Sequence, residues 1–61
     1  MCEFRVLLQD EMVFKDAVYA KAEGNKVTVR NILGVSKTFE NYTIEEVDVQ
    51  SERLVLQIAK E

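Results

Sequence analysis

Val18-Tyr19-Ala20-Lys21-Ala22-Glu23-Gly24-Asn25-Lys26-Val27-Thr28-Val29-Arg30 is the stretch that decides the fold. Val18, Ala20 and Ala22 alternate with Tyr19, Lys21 and Glu23, the period-2 pattern of a half-buried strand. Val27 and Val29 then alternate with Lys26, Thr28 and Arg30 in the same way. Between the two runs lies Gly24-Asn25, a pair that accepts positive φ and so closes a tight two-residue turn. The stretch reads as a β-hairpin.

Working outward, Asn31-Ile32-Leu33-Gly34 makes a second reversal, with Gly34 supplying the permissive backbone. Lys37 to Tyr42 reads as a further strand with Phe39 as its core residue. Upstream, Cys2 to Leu8 is rich in apolar residues, and Cys2, Phe4, Val6 and Leu8 share one face of an extended chain. Gln9-Asp10-Glu11 breaks that run, and Met12-Val13-Phe14 is apolar but too short to assign firmly.

The last third carries two patterns. Ile44, Val47, Leu54 and Ile58 fit a helical stripe, and Thr43 with Glu46 has the form of a capping box. Against the helix, Val47 alternates with Val49, Leu54 with Leu56 and Ile58, and Gln50-Ser51-Glu52 forms a polar break. The β-branched content favours two strands. Five or six short strands in a single domain over residues 1–61 predict an all-β, SH3-like barrel of antiparallel strands, whose rolled sheet hides the edges on which small β proteins aggregate.

At 61 residues, such a chain buries only roughly 60% of the surface its unfolded form exposes. Domains of this size lean on disulfides, a metal or a second subunit. Cys2 is the only cysteine, so an internal disulfide is impossible and the other two supports stay open. Hydrophobic residues make up 48% of the chain and charged ones 31%, with a net charge of −3. That balance argues against nucleic acid, whose phosphates require a cationic face. No apolar run approaches the ~18 residues of a membrane span. Met1-Cys2-Glu3-Phe4-Arg5 puts charges where a signal peptide would be apolar. With one unpaired cysteine, the expected compartment is the reducing cytoplasm.

Chemistry has few places to reside. There is no histidine, hence no Ser–His–Asp or Cys–His arrangement, and two isolated glycines build no phosphate loop. The expectation is that the protein is not an enzyme. Glu45, Glu46 and Asp48 read as a solvated face rather than a catalytic carboxylate pair. Arg30, Lys37 and Arg53 with Tyr19 or Tyr42 make an RNA-binding barrel if folding gathers them on one face. A metal-free protein-interaction module is a third reading.

Cys2 is the remaining candidate. A lone cysteine is most often a small buried hydrophobe, but this one follows the initiator methionine. With Met1 removed it presents an amine and a thiolate; with Met1 retained, its main-chain nitrogen can still be deprotonated by a strongly binding metal. One N,S pair is too few for a stable site, whereas a two-fold dimer supplies two nitrogens and two sulfurs. Four such donors in a plane suit Ni(II) or Cu(II).

Several segments, in order along the chain, resemble the CooT family of small nickel-handling proteins. They are Met1-Cys2-Glu3, Val18-Tyr19, Glu23-Gly24-Asn25-Lys26-Val27, Ile32-Leu33-Gly34 with Lys37, and Thr43-Ile44-Glu45-Glu46-Val47-Asp48 leading to Arg53-Leu54-Val55-Leu56. The resemblance implies an SH3-like fold and a homodimer with one Ni(II) at its interface, held by Cys2. It also implies a role beside a nickel enzyme such as carbon monoxide dehydrogenase, as metallochaperone or nickel store.

Overall fold

The computed structural model describes residues 3–59. Six strands follow one another: β1 (Phe4–Leu8), β2 (Glu11–Glu23), β3 (Lys26–Asn31), β4 (Ser36–Glu40), β5 (Tyr42–Asp48) and β6 (Arg53–Ile58). They form a single sheet in the order β4-β3-β2-β1-β6-β5. The protein is all-β, and the helical alternative for its last third is overturned: Thr43 and Glu46 lie on β5 and cap nothing.

The deciding hairpin forms as its pattern dictates. Glu23 pairs with Lys26 across the turn, and Ala22 with Val27, Ala20 with Val29 and Tyr19 with Arg30. Gly24 takes φ 58°, a left-handed conformation that glycine adopts without steric cost. The loosely assigned Met12–Phe14 run belongs to the same long strand, β2, which pairs with β1 through its first half and with β3 through its second. The change of partner takes place at Ala17, which faces Phe4 on one side and Asn31 on the other. Asp16 just before it sits at φ 61°, and the ladders shift register there. An extra residue of this kind bends a strand sharply and increases its twist. Ala17 is only 2% exposed, so the corner has room for a methyl group and little more.

Two expectations need correction. The strand expected over Lys37 to Tyr42 is broken at Asn41, whose φ of 69° ends β4 and starts β5. Asn visits this region more readily than other side-chain-bearing residues, because its short amide can bond locally. Nor are all pairings antiparallel: β1 runs parallel to β6, with Val6 beside Leu54 and Leu8 beside Leu56.

β4 and β5 stand at opposite ends of the strand order, yet only Asn41 separates them in the chain. The sheet must therefore roll until its two ends meet at this corner, although among the described residues no strand ladder closes it. The corner is tied down by main-chain bonds: Asn41 N–H donates to the Asn25 carbonyl at 2.7 Å, and Ala59 N–H donates to the Asn41 carbonyl at 2.9 Å. Phe39 and Tyr42 meet edge to face beside it, with ring centroids 6.3 Å apart.

Rolling encloses Val6, Ala17, Val27, Val29, Phe39, Leu54 and Leu56, with Phe4, Leu8, Val13, Phe14, Tyr42 and Ile44 packed around them. Phe39 is buried, as its sequence position predicts. The loop after β3 is ordered by one side chain. Asn31 Oδ1 accepts hydrogen bonds from the Leu33 and Val35 amides at 2.9 and 3.0 Å, leaving Leu33 82% exposed at the tip.

Candidate metal-binding terminus and the groove at Phe4

Cys2, the residue singled out for metal binding, lies outside the described residues. The structure does fix the strand that follows it in the chain. β1 is a central strand between β2 and β6. Arg5 N–H donates to the Glu52 carbonyl at 2.9 Å, and its guanidinium donates to the Ser51 carbonyl at 2.9 Å. Two peptide units, about 3.8 Å each between Cα atoms, separate Cys2 from Phe4 along the chain.

Phe4 lines an open, apolar groove of about 250 Å³, together with Ala17, Val18, Tyr19, Ala20, Ile44, Val47 and Leu54. Its walls come from β2 on one side and β5 on the other. Among the described residues, β2 beyond Ala17 pairs only with β3, and β5 pairs only with β6. Val18, Ala20 and Ala22 are the residues whose alternation defines the inward face of the hairpin. Val29 and Val27, directly opposite Ala20 and Ala22, are fully buried, whereas the alanines are exposed. Val47 repeats the pattern: it faces Leu54, which is buried, yet is itself 54% exposed.

Other donor groups are employed elsewhere. Among the described residues, no cluster of three or more Cys, His, Asp or Glu could hold a metal ion. Glu46 and Asp48 share the guanidinium of Arg53 at 3.6 and 3.8 Å. Asp48 Oδ1 also accepts the Gln50 and Ser51 amides at 3.1 and 3.2 Å, capping the β5–β6 turn. Hydrogen bonds from Ser51, helped by Arg53 and the Gln50 amide, hold the Asp48 carboxyl below its ordinary pKa. That is a turn residue kept ionised, not a general acid.

The cations considered for RNA are not brought together. Arg30 lies 4.2 Å over the Tyr19 ring on the outer face of the hairpin. Lys37 faces Val29 across the ladder, on the opposite side of the sheet, with its ammonium 5.3 Å from the Phe39 ring. Arg53 sits on β6 with its two acids, and Tyr42 packs against the core. The sequence reading missed the groove, whose one signal was the small size of Ala20 and Ala22 in a row that ought to fill a core.

The fold defines a small all-β protein built on one rolled sheet, and among its described residues no helix is long and apolar enough to cross a membrane. The chain belongs to the CooT family: the family model described as CO dehydrogenase accessory protein CooT matches residues 1–57 of the 61. That description names an accessory role to an enzyme and not a reaction of the family's own. No curated protein matches the chain.

Proposed function

We propose that this protein binds nickel as cargo for carbon monoxide dehydrogenase, acting as a metallochaperone or store, through Cys2 of two copies. The observation that carries the reading is the family match, which begins at residue 1 and so includes Cys2. Supporting it is the scarcity of other strong donors: the sequence has no histidine and no second cysteine. Two copies supply two thiolates and two nitrogens, a donor set suited to square-planar Ni(II); Cu(II) would compete on intrinsic affinity, so selectivity would follow from availability. The thiol must lose its proton on binding. Protons and nickel therefore compete for the sulfur, and nickel affinity should fall as pH drops.

The test is titration of Ni(II) into the purified protein. Thiolate-to-nickel charge-transfer absorption should rise to a plateau at about one ion per two chains, the stoichiometry of a two-fold site. Cys2→Ser should abolish it. Absorption that survives the substitution would place the site elsewhere and refute the reading.

A further inference from the structure

The loop between β3 and β4 holds apolar side chains in a fixed conformation without burying them. Ile32, Leu33 and Val35 are 50%, 82% and 54% exposed, and none is part of the core or of the ring of residues around it. Yet every main-chain N–H from Asn31 to Val35 is hydrogen-bonded. Asn31 donates to the Val35 carbonyl at 2.9 Å, Ile32 to the Asp16 carbonyl at 3.2 Å and Gly34 to the Asn31 carbonyl at 3.0 Å. Leu33 and Val35 donate to the Asn31 side chain. One exposed aliphatic residue is ordinary on a surface, whereas three on one ordered loop make a contact patch. Side chains carried on a fixed backbone also lose less freedom when they dock.

Charge narrows the partner. Arg30 stands opposite Ser36 at the base of the loop, and Lys37 opposite Val29 on the other face of the sheet. Lys15 adjoins Asp16, whose carbonyl holds the Ile32 amide. All three cations are exposed, and half-buried Asp16 is the one acid in residues 15–16 and 30–37. This basic base belongs to a chain of net charge −3. An apolar tip with cations about its base complements an apolar hollow edged by carboxylates. An anionic membrane offers related chemistry, but it repels a chain of net negative charge. Residues 32–35 also contain no Trp or Tyr to anchor at its interface. The family description points instead to an enzyme.

We infer that residues 32–35 are the contact by which this protein docks on its client enzyme, with Leu33 entering an apolar hollow edged by acids. The inference rests on the proposed function for the identity of the client, but the contact needs neither nickel nor Cys2. A small contact suits a carrier that must leave after delivery.

The experiment is biolayer interferometry of the full chain against purified carbon monoxide dehydrogenase from the same organism, with and without nickel. Saturable binding should weaken between about 0.01 M and about 0.15 M salt, as the screening length falls from about 30 Å to about 8 Å. Leu33→Asp should raise Kd by roughly tenfold or more. Val49→Asp, at another exposed aliphatic residue, on the β5–β6 turn, should leave Kd unchanged; circular dichroism would verify that each variant is folded. Lys15→Glu and Lys37→Glu should slow association. Asn31→Ala should weaken binding and speed hydrogen exchange at the Leu33 and Val35 amides. Binding indifferent to Leu33→Asp, or weakened equally by Val49→Asp, would overturn the inference and leave the client reading in place. A wild-type chain that does not bind the enzyme would overturn both, while nickel uptake at Cys2 could still stand on its own titration. Loop-dependent docking by a chain that takes up no nickel would keep the contact and refute the metal reading. Binding to phosphatidylserine vesicles that Leu33→Asp abolishes, with none to the enzyme, would overturn the inference in favour of a membrane.

Discussion

Replacing Asn41 with valine should be among the most damaging surface substitutions in this protein. Asn41 is exposed, and its main-chain N–H and carbonyl are both engaged, to Asn25 and from Ala59. Valine keeps those main-chain groups, so the effect isolates backbone conformation. At φ 69°, a Cβ atom costs about 1–2 kcal/mol, more for a β-branched residue and less for asparagine. We take about 2 kcal/mol for Asn41→Val. A 61-residue domain at 0.05–0.15 kcal/mol per residue has roughly 3–9 kcal/mol in all. The loss should lower the Tm by about 8–16 °C, since 1 kcal/mol moves a domain of this size by about 4–8 °C. Asn41→Gly should stay within about 1 kcal/mol of wild type, because glycine loses the Cβ conflict but adds unfolded-state entropy. Thermal unfolding followed by circular dichroism, at one fixed protein concentration, measures both. Were residues 37–42 one continuous strand, valine would stabilise it through its β preference. A valine variant as stable as wild type would therefore refute the corner that rolls the sheet.

Three further outcomes follow from the geometry. Leu56→Ala, at a position 1% exposed between β5 and the neighbouring β1, should cost about 2–5 kcal/mol, enough to leave the chain marginal or unfolded in a denaturant titration. Gly24→Ala should destabilise by about 1 kcal/mol through its φ of 58° alone, because no atom lies within 4 Å of an added Cβ; Gly24→Asn should recover part of that in the same assay. Asp48→Ala should lower the Tm at neutral pH and lose its effect in acid. The Asp48 carboxyl is held below its ordinary value of 3.8 in the folded protein, so its contribution is fully present above that value and fades as pH falls through the folded pKa. Melting curves of both proteins from pH 7 down to about 2.5 should converge; a constant gap would mean that the ionised state does not matter.

Residues 18–30 announced the hairpin because pattern, turn chemistry and propensity agreed there. The β5–β6 hairpin was legible for a different reason: β-branched residues outweighed a helical stripe that any alternation of valines and leucines can mimic. The Asn41 corner was not legible. Asparagine signals a turn only weakly, and the one further sign was a shift of phase, from Phe39 to Tyr42 and Ile44, three residues and then two. The parallel pairing of β1 with β6 was equally hidden, since parallel and antiparallel neighbours on a rolled sheet have the same alternation when one face is buried. The groove escaped because exposure is a property of the whole roll. Val18, Ala20 and Ala22 have the period of a buried face, and only the position of β5 leaves them uncovered.

The strand order bears on the site proposed at Cys2. Chain ends usually lie at the margins of a domain and are poorly held unless a strand or helix ties them down. Here the first strand is central, hydrogen-bonded to β2 on one side and β6 on the other. Its register is locked by Val6, fully buried beside Leu54 and Phe14. A one-residue slip would turn Val6 out and Arg5 into the core, so the start of β1 is determined by the packing of the whole molecule. The first residue of that strand, Phe4, lines the groove between β2 and β5. The proposed metal site would need the two chain starts brought together. The central position of β1 fixes Phe4, the described strand residue from which the chain leads back towards Cys2.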